Sequence, residues 1–266
     1  MSPARLFDTH CHLFEHGFYG RAGVLLRGVG QEVVAYERYR QEFGIERSFV
    51  IGYEGEPRYR GNTDYLDSLA RDRSWLVPLG FAPAGHPLPR RRAMSAYVST
   101  REEGQWLADA LDAADPAPSV LSLNARPAAL DALADAVRSA EGTWFLISHL
   151  GLPGPAPSRA AAEAALEPLT RLAGLPQVSV KLSGQYAASL VDYPHPDVQH
   201  LVDVVAERFG SHALTWGSDF APCLEHVTLG EAVECVLPTG ASAAERDAIF
   251  FGNADRFATH YLGASA

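Results

Sequence analysis

The chain has 266 residues, 47% hydrophobic and 20% charged, an ordinary globular composition that excludes a disordered or fibrous protein. The length fits one large domain or two small ones, and (β/α)₈ barrels sit near this size. A formal net charge of −10 argues against a nucleic-acid or anionic-membrane surface, and no apolar run approaches the ~18 residues that span a bilayer.

Along the chain, short apolar runs rich in β-branched residues alternate with helical patterns. Strands are predicted at Leu6–His12, Ser48–Gly52, Trp75–Phe81, Ser119–Leu123, Thr143–His149, Val178–Ser183 and Ala213–Asp219. Leu130, Leu133, Ala134 and Val137 follow the i, i+3, i+4, i+7 spacing of one helix face, behind a Pro127 suited to a first turn. Val198, Leu201, Val202 and Val205 repeat that spacing, with Gly210 where a C-cap belongs. Ser242 and Glu245 form a capping box ahead of the last helix. Strand, helix, strand at this rhythm means parallel βαβ units, in an open doubly wound sheet or a closed barrel. Seven strands are visible. An eighth is expected to be short and to lie between Gly184 and Ser211, unless the barrel is irregular. The Pro- and Arg-rich stretch Ala84–Met94 and the stretch Leu152–Ser158 read as loops on a single domain, 1–266, without internal repeat.

Three predicted strands end in residues able to bind a metal or move a proton. The first ends Phe7-Asp8-Thr9-His10-Cys11-His12; side chains alternate across a strand, so His10 and His12 point the same way. Such a pair can hold one metal ion, and it equally suits two strand-end histidines satisfied by hydrogen bonds. The fifth predicted strand ends in His149-Leu150-Gly151, and the seventh in Trp216-Gly217-Ser218-Asp219. An aspartate there is often a helix N-cap, but the next helical pattern starts beyond Pro222. Barrel enzymes keep their chemistry at this C-terminal end of the strands. Three imidazoles and one carboxylate would complete a ligand set with room for water, and an aspartate beside that water could act as general base.

These motifs, with Lys181-Leu182-Ser183-Gly184 and the closing Gly252-Asn253-Ala254-Asp255-Arg256-Phe257, resemble the amidohydrolase superfamily. More narrowly the chain is similar to the amidohydrolase-2 branch, which includes 2-pyrone-4,6-dicarboxylate lactonase, L-fuconolactonase and aminocarboxymuconate semialdehyde decarboxylase. The resemblance runs from Asp8 to Phe257. It implies a distorted TIM barrel with the site at its C-terminal mouth, where His10, His12, His149 and Asp219 match the family's core positions. Lys181 is the only lysine, none lies near the fourth predicted strand, and no histidine closes the Lys181 strand. The bridging lysine of binuclear members is therefore absent. One divalent ion is expected, zinc before manganese, or none, as in lactonases of this branch that work without a metal.

The leading expectation is a hydrolase acting by water attack on a lactone, ester or related acyl bond of a small carboxylated molecule. Asp219 would be the general base, with His10, His12 and His149 as metal ligands or direct polarisers of the carbonyl. Arg126, Tyr186, Glu54 and His226 are candidate substrate contacts, although Arg126 also suits a surface helix start and Glu54 a loop carboxylate. Lys181 reads as a buried, paired cation as readily as a site residue, and His195, between two prolines, as loop punctuation. Two alternatives stand beside this: a metal-dependent nonoxidative decarboxylase on the same residues, and a catalytically silent binding barrel. The expected partner is a small molecule, with no nucleic acid and no membrane; homodimerisation stays open. An odd cysteine count (Cys11, Cys223, Cys235) and no charged-then-apolar leader over Met1 to His10 point to a reducing, cytoplasmic setting.

Overall fold

The computed structural model describes residues 5–20 and 23–263. Eight strands run through it: β1 (Leu6–Cys11), β2 (Ile45–Ile51), β3 (Leu76–Ala82), β4 (Ala93–Val98), β5 (Val120–Ala125), β6 (Trp144–Ile147), β7 (Val178–Leu182) and β8 (Leu214–Trp216). Each pairs in parallel with the next, in chain order. Helices α1 (Gln31–Phe43) and α2 (Asn62–Ala70) follow β1 and β2. After β4 to β7 come α3 (Arg101–Asp112), α4 (Pro127–Ser139), the pair α5 (Arg159–Ala165) and α6 (Glu167–Thr170), and α7 (Gln199–Phe209). Beyond β8 lie α8 (Leu229–Val233), α9 (Ala243–Asp247) and α10 (Asn253–Leu262). The result is a single-domain TIM barrel. Among the described residues, no helix is long and apolar enough to cross a membrane, and Cys11, Cys223 and Cys235 are free thiols.

The helical patterns fold as their spacing dictates. Pro127 opens α4, which buries Leu130, Leu133, Ala134 and Val137. Gly210, at φ 74°, ends α7, and the Ser242–Glu245 capping box starts α9. The eighth strand, however, is β4 and not a segment between Gly184 and Ser211, where the short turns Gln185–Ala188 and Pro196–Val198 precede α7. It escaped notice because β3 and β4 are joined by loop alone, which breaks the strand–helix rhythm, and because Ala93-Met94-Ser95-Ala96 lacks β-branched residues. Ala93 and Met94 therefore leave the predicted loop and join the sheet. Five predicted strands overran their observed C-terminal ends, three of them by a single residue; the two longer overruns run into left-handed backbone at His149 (φ 53°) and Asp219 (φ 58°).

The barrel interior changes character along its axis. At the N-terminal end, Phe7, Phe49, Leu79, Ala93, Val120, Trp144 and Leu146 form one apolar cluster closed from below by Ala254, Ala258 and Leu262 of α10. Trp144 stacks on Phe257 with ring centroids 5.0 Å apart. Burying each such large side chain contributes about 1.5–3 kcal/mol. Two residues further along the strands the buried positions turn polar: Ser95 after Ala93, Ser122 after Val120, and Lys181 after Ser179.

Closure between β8 and β1 depends on side chains as well as backbone. Past the end of β8, Cys11 bridges Phe220, and the Asp219 N–H donates to the His10 carbonyl at 2.7 Å. Below this, the Thr9 hydroxyl donates to the Trp216 carbonyl at 2.6 Å. The fully buried Asp8 completes the seam, accepting from the His10 N–H (3.1 Å), the Ser218 N–H (2.9 Å), the Ser218 hydroxyl (2.5 Å) and the Tyr36 hydroxyl (2.6 Å).

A second buried carboxylate anchors the loop after β1. Glu32 on α1 accepts from the N–H groups of Phe14 (2.7 Å) and Phe18 (2.5 Å). Burial lifts its carboxyl from the ordinary 4.5 to about 7, against the pull of those bonds and of Arg27. Between these values the folded chain holds a proton that the unfolded chain has released, so this contribution to stability falls as pH rises. Relative to Glu32→Gln, which does not titrate, the wild type is expected to lose up to about 3 kcal/mol between about pH 5 and pH 8. Urea unfolding of both proteins at the two pH values checks this, and a difference independent of pH would refute it.

Candidate active site

The site forms where the seam reaches the C-terminal mouth. Asp8 pairs with Ser48 and Cys11 with Val50, so β1 carries one residue more than β2 across this interval, a bulge that includes His10. His10 and His12 converge, ring centroids 5.1 Å apart. His10 Nε2 lies 3.5 Å, and His12 Nε2 3.9 Å, from Asp219 Oδ1. Gly217 makes the approach possible: a Cβ there would sit 2.7 Å from the His10 Cβ and 2.9 Å from its backbone nitrogen. His149 packs edge-on to His10, centroids 4.6 Å apart, its Nδ1 3.1 Å from the Ser183 hydroxyl. Its backbone and that of Asp219 are both left-handed, a strain that non-glycine residues keep only where surrounding structure enforces it.

His10 and His12 are held neutral and aimed. Burial drives His10 well below the usual histidine range, helped by the charge of Lys181 and by His149 and His12. Burial takes His12 down to about 4, against the attraction of Asp219. His12 Nδ1 lies 3.0 Å from the Ile51 carbonyl, a contact that places the proton on Nδ1 and frees the Nε2 lone pair. His10 Nδ1 lies 3.1 Å from Lys181 Nζ and 3.2 Å from the Ser148 hydroxyl, while its Nε2 is buried with no hydrogen-bond partner among the described residues. Lys181 also donates to the Ser122 hydroxyl at 2.7 Å, and burial lowers its ammonium to about 7, partly offset by Asp8 and Asp219.

The donor set fits a divalent ion: His10, His12 and Asp219 each offer one atom, all within 4.8 Å of one another. His149 stands beside this group and not within it. Tyr186, in the turn after β7, donates to Asp219 Oδ2 at 2.5 Å and stacks on His226 at 4.1 Å. An aromatic wall leads away on the β1–β4 side: Phe14 stacks on His12 (5.7 Å) and Tyr59 (4.2 Å), and Tyr53 meets Tyr59 (5.7 Å) and Tyr97 (4.8 Å). Glu54 accepts from the N–H groups of Gly61 and Thr63, holding the loop ahead of α2. Arg126 is exposed at the N-cap of α4. His195, expected as loop punctuation, is buried with left-handed φ (56°), its Nδ1 2.8 Å from the Val191 carbonyl.

Residues 81–257 match the sequence model of the family described as Amidohydrolase. The chain belongs to the amidohydrolase family. An amidohydrolase of Burkholderia multivorans solved with bound zinc is 21% identical over 96% of this chain and 99% of that one, with a TM-score of 0.67. A probable 2-pyrone-4,6-dicarboxylic acid hydrolase of Acinetobacter baumannii, solved with citric acid, is 14% identical over 97% and 99%, TM-score 0.68. An amidohydrolase 2 of Bifidobacterium longum subsp. infantis is 20% identical over 95% and 98%, TM-score 0.63. At such identities these likenesses establish the fold. No curated protein matches the sequence.

In this amidohydrolase the sequence motifs led to His10, His12, His149 and Asp219 but passed over their supports. Asp8 could have been noticed as a charge in an apolar strand two residues before His10. Tyr97 had no signal, because its strand was not recognised.

Gly217→Ala is expected to lower stability by about 1–3 kcal/mol through overpacking against β1. A calorimetric melting temperature unchanged from wild type would show that the seam yields freely at this point.

Proposed function

We propose that this amidohydrolase opens a lactone, ester or related acyl bond of a small carboxylated molecule by water attack. The observation that carries the reading is the convergence of two neutral imidazole nitrogens, His10 Nε2 and His12 Nε2, on Asp219 Oδ1. Family membership supports an enzyme, and the three-atom donor set supports one divalent ion held by His10, His12 and Asp219, with His149 as a further neighbour. Such an ion would supply Lewis-acid polarisation of the scissile carbonyl. Without one, His10 alone of the two would polarise that carbonyl as a donor, through Nε2–H, because its Nδ1 faces Lys181 while the His12 proton is held on Nδ1.

Asp219 takes the base role. Tyr186 holds its Oδ2, which leaves Oδ1 turned toward the histidines to accept a proton from water as the water oxygen bonds to the acyl carbon. The carbonyl electrons move onto oxygen, return as the bond to the leaving oxygen breaks, and the leaving oxygen takes the proton back from Asp219. The catalytic base is thereby restored. Left-handed φ at Asp219 and His149 sets the direction in which both side chains leave the backbone.

Asp219→Asn is expected to fold with a normal melting temperature and to lose at least about 100-fold in kcat/KM on whichever member of a panel of lactones and aryl esters the wild type opens. Wild-type turnover in that variant would sink the mechanism, and carbon dioxide release from aromatic acids in place of ring opening would replace hydrolysis by decarboxylation. Protein purified without chelator is expected to carry about one zinc or manganese ion per chain, lost in His12→Ala. Folded protein that holds no ion after incubation with either metal would assign His10 to direct polarisation of the carbonyl.

A further inference from the structure

Tyr97 is the penultimate residue of β4 and faces the barrel interior. It packs with Ala93 against the interior cluster, while Met94, Ala96 and Val98 between and beyond them belong to the outer one. Its lateral neighbour at the same height is Asn124 of β5. In a ring of eight strands joined in sequence order, β4 stands across from β8, so Tyr97 looks over the mouth from the side opposite Asp219.

The ring of Tyr97 is fixed and its hydroxyl is left over. Tyr53 lies against the ring at 4.8 Å and Phe81 at 6.1 Å. The hydroxyl is buried without a hydrogen-bond partner among the described residues, a state it shares with His10 Nε2. A phenylalanine would fill the same aromatic niche without leaving a polar atom unpaired, and an unpaired buried hydroxyl costs stability. Burial, reinforced by the negative charge of Asp219 and by Tyr53, keeps the phenol protonated far above neutral pH. The group offers a donor, and no described residue accepts from it.

We propose that the Tyr97 hydroxyl is a hydrogen-bond donor to the substrate, meeting an acceptor oxygen on the end of the molecule that lies away from Asp219. The two ends of the substrate are then held on opposite strands, one on the His–Asp group at the β1–β8 seam and the other on β4. This assignment rests on the acyl-hydrolase reading only for the identity of the reacting end.

Tyr97→Phe, which removes one oxygen atom, tests it through three readouts. The ligand-free melting temperature is expected to stay level or rise; a fall of more than about 3 °C would place the hydroxyl in an internal contact and overturn the assignment. On the lactone that wild type opens best, kcat/KM is expected to fall by roughly 3- to 100-fold, chiefly through KM, and an unchanged KM overturns the assignment. Benzoate, a flat ring with two acceptor oxygens, probes the mouth without turnover by isothermal titration calorimetry and is expected to bind the variant more weakly. Equal affinity in both proteins, including no measurable affinity in either, overturns the donor role. Weaker benzoate binding in the variant, together with no lactone turnover by wild type, upholds the donor role and removes the hydrolase reading.

Discussion

The barrel closes on one buried carboxylate. Asp8 has no exposure to water, and an isolated charge in that position would be strongly disfavoured, so it persists only because two backbone N–H groups and two hydroxyls surround it. Burial still raises its carboxyl to about 6. Those four donors come from β1, from the turn after β8 and from α1. The group therefore joins the two strands that must meet for an eight-stranded sheet to become a cylinder. His10 follows it by two residues, and Asp219 adjoins Ser218, whose backbone and hydroxyl it holds. The same interaction that closes the fold thus sets the spacing of the candidate catalytic groups.

Below and above this point the interior does different work. The apolar lower half, plugged by α10, supplies the burial that stabilises the cylinder. The upper half trades that stability for polar groups that cannot reach bulk water: Lys181, Ser122, Ser148 and the Nδ1 edge of His10 form one connected set. Such networks act as a unit, since removing any member leaves its neighbours buried and unpaired. Two left-handed turns, at His149 and Asp219, add local strain that the surrounding barrel opposes.

Much of this is legible in the sequence. Short apolar runs rich in β-branched residues and the intervening helical faces locate seven strands, and the His-x-His, His-Leu-Gly and Gly-Ser-Asp endings point to the residues gathered at the mouth. What stayed hidden follows from physics that a linear pattern does not carry. β4, and Tyr97 with it, carries little signal because the β3–β4 link holds no helix and the strand's first four residues lack β-branching. The bulge in β1 and the left-handed turns at His149 and Asp219 leave no mark in the linear pattern, and the seam joins residues 210 positions apart, Ser218 to Asp8. Asp8 takes on its role only where Ser218 and Tyr36 arrive beside it, and the Glu54 carboxylate accepts from the Gly61 and Thr63 N–H groups, contacts that no linear spacing encodes.

Lys181 has a consequence of another kind. It is the only lysine, and it is completely enclosed between β5 and β1 inside the cylinder. The folded protein therefore shows amine-directed reagents no side-chain target at all, and lysine-based crosslinkers and dyes pass it by. Its amine becomes reachable only when neighbouring strands separate, so the rate at which an acylating label enters at Lys181 counts openings of the barrel itself. A residue buried beside the chemistry doubles as a clock for the opening of the fold.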